Sequence, residues 1–292
     1  MGQKLLMAAV HELSASMDAL AVLGAELRRR RDGLAVPPAV DALLQDVIAR
    51  IGPDLLGDLT PDQETTALGV IDTFFRQASD LLERPAREPG WSYHDAVVIN
   101  GQGMTSRQFV GTFEAAASAV PDFQSVLAQP GTFLDVGTGA GWLAIEVARC
   151  WPRWNVVAID RWQPALDLAR ANIAASGASD RIALRCEDVR QLEDREAFSI
   201  AWLPGPFLAS ETVSLALERV HRALVPGGWL VFSLFAPEQT RWGEALTALK
   251  VVRNGGHPWK KDELEAMLGN AGFEQIGSFS TAGSTITIAR RG

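Results

Sequence analysis

The stretch Asp135-Val136-Gly137-Thr138-Gly139-Ala140-Gly141 constrains this chain more than any other feature. It follows a short apolar run, Phe133 to Val136, that reads as a strand, and it opens Trp142 to Cys150, which reads as a helix. Glycines let a ligand approach the backbone, and the free N–H groups at a helix start favour an acidic group. A nucleotide-like ligand is implied. A second carboxylate, Asp160, ends the next strand 23 residues after Gly137, where it can accept both hydroxyls of a ribose. A third, Asp188, follows the third strand and suits an adenine amino group.

Around this loop the chain alternates strand and helix. Val156 to Ile159, Ile182 to Cys186, Ile200 to Leu203 and Trp229 to Leu234 read as further strands. Pro164 to Ser176 reads as a helix, with Pro near its first position and Gly177 after its end. Val213, Leu217, Val220 and Leu224 form a helical stripe closed by Pro226-Gly227-Gly228. Such alternation predicts an α/β unit with a mostly parallel sheet and helices on both faces. After a helix over Asp262 to Gly269, Glu274 to Phe279 and Thr285 to Ile288 flank Ala282-Gly283 and predict an antiparallel hairpin closing the sheet.

Before about Pro89 only helical signals occur. Leu6, Val10, Leu13, Met17, Leu20 and Leu27 follow a 3-4 spacing, ended by Gly33 and Pro37-Pro38. That spacing fits a helix packed on its own chain, and equally a homodimer seam through the N-terminal helices. Arg28 to Arg31 read as a solvated helix end that offsets the macrodipole. Further helices are predicted near Val40 to Ile51 and Asp62 to Leu82. From Arg87 to Thr105 periodicity is lost, and Pro89-Gly90, Asn100-Gly101 and Gly103 read as turns of a lid or linker before a helix over Arg107 to Ala119. The expected organisation is a helical cap or dimerisation region over residues 1–90, a lid and connecting helix over 91–130, and a ligand-binding domain over 131–292.

Composition narrows the partners. With 27 Lys and Arg against 35 Asp and Glu the net charge is -8, which argues against nucleic acid as a partner. Cys150 and Cys186 cannot build a disulfide framework, and neither has a partner at zinc-site spacing, so a reducing, cytoplasmic setting without a metal is expected. No uninterrupted run of about 18 apolar residues occurs, so no membrane span is expected. His11, Glu12 and Asp18 break the apolar start before any signal-like cleavage site.

Two cofactor classes share the strand-glycine-helix-strand-acid plan. The dinucleotide fingerprint G-x-G-x-x-G places its third Gly five residues after the first. Here Gly141 comes four after Gly137, and bulky Trp142 holds the fingerprint position, where it is expected to crowd a pyrophosphate. Phe133 to Gly141 instead resembles the first motif of class I S-adenosylmethionine-dependent methyltransferases of the small-molecule type. The resemblance runs from about Gly131 to Arg290 through Val156-Val-Ala-Ile-Asp160, Cys186-Glu-Asp188, Leu224-Val-Pro-Gly-Gly-Trp229 and Ala271-Gly-Phe273, in the family's order. It implies a Rossmann-like fold and S-adenosyl-L-methionine as cofactor. Gly137, Gly139 and Gly141 would shape the pocket of the methionine part, with Asp135 near its end, Asp160 would hold the ribose, and Asp188 with Val189 would border the adenine. Arg161 and Trp162 would lie along the adenosine.

The family's plant-type O-methyltransferases carry a catalytic His after the fourth strand, where this chain has Trp202-Leu-Pro-Gly-Pro-Phe207. Nucleic-acid amino-group methyltransferases use an Asp/Asn-Pro-Pro-aromatic motif there, from which Leu203-Pro204-Gly205-Pro206-Phe207 also departs. Leu203 is expected to lend a backbone carbonyl to the cofactor's amino group, and Phe207 an apolar wall. His94 and His257 remain as candidate general bases, since imidazole titrates near neutrality. Tyr93, Phe207, Trp242 and Trp259 are candidate acceptor contacts, which suits a small, aromatic acceptor in secondary metabolism. The competing readings are a non-catalytic partner protein on this fold and an NAD(P)-dependent oxidoreductase.

Overall fold

The computed structural model describes residues 2–236, 240–281 and 284–292, and divides the chain into two compact units, Met1–Pro85 and Ala86–Gly292. The first unit is three helices: α1 (Gly2–Asp32), α2 (Pro38–Ile51) and α3 (Pro61–Glu83). Thr60 starts α3 with a reciprocal cap: its hydroxyl accepts the Gln63 N–H while the Gln63 side chain accepts the Thr60 N–H at 2.8 Å. Leu27, Ile48, Leu56, Leu68 and Ile71 form the core of this unit. Gly24 lets α1 approach α3, because a Cβ there would lie 3.0 Å from Ile71 Cγ2.

Two expectations change here. The Arg28–Arg31 run is not simply a solvated helix end. Arg29 and Arg30 both donate to Glu26, which is fully buried; Arg30 also reaches the Leu56 carbonyl at 2.7 Å, and Arg28 pairs with Asp72. The expectation of no membrane-length segment also fails. α1 is long and apolar enough to cross a bilayer by length and composition, with a mean hydropathy of 1.4 over its best 18-residue window and none of that window buried. Its scattered charges break the uninterrupted run without lowering the average enough. Leu6, Val10, Leu13 and Met17 of the predicted stripe are exposed, and only its C-terminal end enters the core.

The second unit begins with α4 (Ala96–Met104), a 3-10 turn (Thr105–Gln108), α5 (Phe109–Ala119) and α6 (Pro121–Leu127). It continues as β1 (Gly131–Val136), α7 (Trp142–Cys150), β2 (Trp154–Asp160), α8 (Gln163–Ser176), β3 (Ile182–Cys186), β4 (Phe198–Pro204), α9 (Ser210–Ala223) and β5 (Leu224–Phe235). It ends with α10 (Arg241–Arg253), α11 (Lys261–Asn270), β6 (Phe273–Thr281) and β7 (Ser284–Arg291). The seven strands run in the order β3-β2-β1-β4-β5-β7-β6. The first five are mutually parallel, and β7 pairs antiparallel with both β5 and β6. This is the predicted sheet and terminal hairpin; the turn placed at Ala282-Gly283 lies outside the described residues.

Alternating side chains of the strands feed two cores, as a sheet buried on both faces requires. Phe133, Ile200, Trp202 and Trp229 face α5 and α7, while Leu134, Ala201 and Leu230 face α9 and α11. α5 packs Phe109 and Phe113 on Trp202, so residues 86–130 belong to this unit rather than standing apart. The stretch read as turns around Asn100-Gly101 is helical: Asp95 caps α4 by accepting the Val97 N–H at 2.9 Å. Gly103 serves close packing, since a Cβ there would sit 3.1 Å from the Trp142 ring.

Candidate active site

β1 and β4 are neighbours although three strands apart in sequence, and the chain departs in opposite directions from this point. A crevice outside the carboxyl ends of the strands is expected there. The glycine loop fills the β1 side. Gly137, Gly139 and Gly141 have φ of 66°, 56° and 83°, left-handed values that glycine adopts without strain. Their surroundings differ. A Cβ on Gly137 would lie 3.1 Å from Pro204 at the end of β4, and one on Gly141 would lie 3.3 Å from Ala169 of α8. On Gly139 it would meet nothing closer than 4.0 Å, so this backbone lies open to a ligand.

Two carboxylates hold the loop. Asp160 accepts the Gly139 N–H at 2.9 Å on one oxygen and the Trp162 N–H at 2.8 Å on the other. A carboxylate has about four lone-pair sites, and with the Arg161 N–H also acting on Asp160 one remains for a ribose hydroxyl. Asp135, in the central strand, is 1% exposed and accepts the Thr138 hydroxyl at 2.7 Å. Burial, with the nearby Asp160 charge, pushes the Asp135 carboxyl up to about 7 against the opposing Thr138 and Ala144 hydrogen bonds. Burial raises Asp160 as well, opposed by the backbone N–H groups of Trp162, Gly139 and Arg161 and by the Arg161 charge.

Asp188 is more committed than its sequence position suggests. Its oxygens accept the Arg190 N–H and both arms of the Arg190 guanidinium, at 2.7 to 3.0 Å, with Arg161 3.9 Å away. The Arg190 side-chain hydrogen bond holds its carboxyl below the usual range. Val189 beside it is buried. Leu203 buries its side chain fully in the sheet, so only its backbone can face the crevice. Trp142 turns away from the loop: its indole N–H donates to Asn100 and its ring lies on Gly103. The expected crowding of a pyrophosphate by Trp142 is therefore corrected, because the first residue of α7 points toward α4.

A strap over residues 86–95 contributes a wall that spacing could not reveal. Trp91 stands edge-on to Tyr93 at 5.1 Å and to Phe207 at 5.3 Å. Trp162 donates its indole N–H to the Tyr93 carbonyl at 2.9 Å and meets the His94 ring at 4.9 Å. The strap is tied to the end of α10: Gly90 N–H and Arg87 both donate to the Arg253 carbonyl at 3.0 Å. Past α10, a Cβ on Gly255 would lie 2.9 Å from Gly90, and one on Gly256 would lie 2.1 Å from the Pro206 carbonyl. The strap, the turn after β4 and the loop after α10 are thus in contact.

The other predicted residues spread out. His257 pairs with Glu263 at 3.4 Å and packs on Trp259 at 4.3 Å. Trp259 is partly buried against the α9 and α11 core, and its indole N–H is buried with no hydrogen-bond partner among the described residues. Trp242 stands 63% exposed on α10, a helix missed in the sequence, and makes no ring contact with the strap aromatics. The described residues hold no group of three or more His, Cys, Asp or Glu able to bind a metal.

Residues 133–228 match the family model of a methyltransferase domain. Over the whole length, an O-methyltransferase family protein from Burkholderia thailandensis shares the fold at a TM-score of 0.68 and 17% identity, covering 98% of each chain. The second unit has the class I methyltransferase fold. Human N-acetylserotonin methyltransferase, solved in complex with S-adenosylmethionine, also shares it over 98% of each chain, at a TM-score of 0.63 and 18% identity. The ribosomal protein L11 methyltransferase of Geobacter sp. strain M21 is 33% identical over 126 residues, 43% of this chain; the chain spans 39% of that relative's length. In this methyltransferase fold the glycine loop, Asp160 and Asp188 stand at the carboxyl ends of β1, β2 and β3.

Proposed function

We propose that the chain transfers a methyl group from S-adenosyl-L-methionine to a small organic acceptor with a flat apolar face. The carrying observation is the Asp160 clamp: one partly buried carboxylate holds the N–H of Gly139, whose backbone is open to a ligand, while keeping a lone pair for a ribose. The open Cβ position of Gly139, with buried Asp135 and partly buried Asp160 beside the loop, fits this cofactor, which carries a positive sulfonium. Gly137 to Gly141 would seat the methionine part, Asp160 the ribose, and Asp188 with Val189 the adenine edge. When bound, S-adenosylmethionine supplies a methyl carbon activated for in-line displacement by its positive sulfur.

The protein's task is then alignment, which can supply about 7–11 kcal/mol of a bimolecular barrier. Trp91, Tyr93 and Phe207 form the wall against which a flat acceptor would lie. His94 borders this cluster through Trp162 and is the general-base candidate for an acceptor that must lose a proton, whereas His257 is engaged by Glu263. The aromatic wall supports a small aromatic acceptor of secondary metabolism over a macromolecule, and the acidic balance supports the same choice. Free Cys150 and Cys186 suit a reducing, cytoplasmic setting.

Titration calorimetry with S-adenosylhomocysteine on the wild type and on Asp160→Ala tests the cofactor assignment. Binding that the substitution abolishes is expected; no binding by the wild type refutes the reading. Turnover is tested with methyl-labelled S-adenosylmethionine and a panel of phenols, aromatic amines and carboxylic acids. Bound cofactor without turnover across that panel would favour a non-catalytic partner protein.

A further inference from the structure

Trp162 belongs to two parts of the site at once. Its main-chain N–H donates to one oxygen of Asp160 at 2.8 Å, while the other oxygen holds Gly139 of the glycine loop. Its indole N–H donates to the Tyr93 carbonyl at 2.9 Å, across 69 residues of sequence, so that bond is made by the fold and not by a local turn. The strap it reaches, residues 86–95, has neither helix nor strand to satisfy its main chain, whose polar groups must find partners elsewhere. Both ends of the strap are anchored by other means. Arg87 and the Gly90 N–H donate to the Arg253 carbonyl, and beyond the Asp95 cap Asn100 of α4 accepts from Trp142 and Asn172. Trp162 takes hold between these anchors, at the buried residue whose ring meets Trp91 edge-on, and Trp91 in turn meets Phe207.

We infer that Trp162 is a positioning residue that joins donor to acceptor: an occupied Asp160 clamp fixes its main chain, and its indole then holds the strap with its aromatic wall against the domain. This rests on the cofactor reading above. Trp162 acts through Tyr93 and not on the methyl group itself. In the empty clamp the carboxylate is free to exchange the Trp162 N–H for water, and the strap moves between a held and a lifted arrangement. A ribose hydroxyl on Asp160 removes that freedom and favours the held one, so the wall is in place before the acceptor arrives. One hydrogen bond transmitted in this way changes the held-to-lifted ratio by about three- to tenfold. Coupling is reciprocal, so the held strap tightens the donor by the same factor.

Hydrogen exchange of the full chain, read by mass spectrometry on peptides covering residues 90–95, measures the strap without an acceptor. S-adenosylhomocysteine is the probe, and calorimetry gives its affinity. In the wild type the bound probe should slow exchange of these peptides by about three- to tenfold. Trp162→Phe keeps a ring beside His94 and lacks the indole N–H. It should bind the probe about three- to tenfold more weakly and show the same strap exchange with and without it. Slowing by the probe that survives Trp162→Phe overturns the inference, as it would for a Trp162 that only stabilises the fold or a ligand that covers the strap directly. Complete loss of binding in that variant also overturns it, making Trp162 a cofactor contact. A wild-type strap indifferent to bound probe does the same while leaving the cofactor assignment intact. Should Trp162→Phe not fold, Asp160→Ala decides from the other side: strap exchange in the free protein should quicken, and an unchanged rate overturns the inference. Failure of the wild type to bind the probe would sink the cofactor reading and this inference with it.

Discussion

Replacing Glu26 with Gln should cost the first unit a large part of its stability at neutral pH and well under half of that at pH 3. Glu26 has a side chain 1% exposed and accepts both arms of Arg29 at 2.7 Å and Arg30 at 2.9 Å. Arg30 continues to the Leu56 carbonyl and to Glu64, so one carboxylate organises α1, the α2–α3 connection and α3. The Arg29 hydrogen bond, with a smaller one from Arg30, holds the Glu26 carboxyl at about 2 rather than 4.5, against the opposing effect of burial. A group depressed in the folded state contributes fully above its unfolded value and loses that contribution as pH falls toward the folded one. The interval corresponds to about 3 kcal/mol at pH 7, and more than half of it is gone by pH 3.

Urea unfolding of the full chain measures this with two probes. All nine tryptophans lie at residue 91 or later, so fluorescence follows the second unit, while far-ultraviolet circular dichroism follows the helices of both. The Glu26→Gln variant should lose about 2–3 kcal/mol in the dichroism transition at pH 7, and the gap to wild type should narrow to about 1 kcal/mol at pH 3. A variant within about 0.5 kcal/mol of wild type at pH 7, or a gap unchanged at pH 3, would refute the assignment of a structural ion cluster.

The three loop glycines separate folding from binding. Gly141→Ala should lower stability by about 1–2 kcal/mol in thermal melts, because the left-handed backbone and the Ala169 contact both resist a methyl group. Gly139→Ala carries similar backbone strain but no clash, so it should keep its fold and lose S-adenosylhomocysteine affinity in calorimetry; retained affinity would place the ligand elsewhere. Asp160→Asn should weaken the same ligand by at least about tenfold, the loss of charge-assisted hydrogen bonds to the ribose. Arg190→Ala should raise the Asp188 titration seen by carboxyl NMR, since its guanidinium supplies the first cause of the depression.

The loop and sheet were legible because their signals are local. Positive φ demands glycine at 137, 139 and 141, and strand runs alternating with helices between breakers predict a mostly parallel sheet, though not its strand order. α4 was not, because Asn100, Gly101 and Gly103 imitate turn chemistry; here Asn100 and Gly103 serve close packing on Trp142 under an Asp95 cap. α10 escaped for a different reason: its apolar residues Leu246, Leu249 and Val252 are largely exposed and trace no single buried stripe. The Arg29 and Arg30 contacts of Glu26 are i,i+3 and i,i+4 pairs that helix spacing allows, but the reach of Arg30 to Leu56 and the Trp91–Phe207 contact join residues brought together only by the fold. Arg190 had a signal, two residues after Asp188 at the start of a turn, where a basic side chain can fold back onto the carboxylate.

The shared hydrogen bonds of Gly90 and Arg87 to the Arg253 carbonyl, and the near-touching backbones at Gly90 and Gly255, make two distant stretches of sequence one structural part. Any redesign of this face inherits that union. Grafting a relative's post-α10 loop without its strap would set a Cβ at position 255 against the Gly90 backbone, and grafting the strap alone would take the Arg87 donor from the Arg253 carbonyl. Diversification of this face therefore proceeds by exchanging the pair together, and mutational libraries that vary residues 86–95 and 253–257 jointly should yield folded variants far more often than libraries that vary either alone.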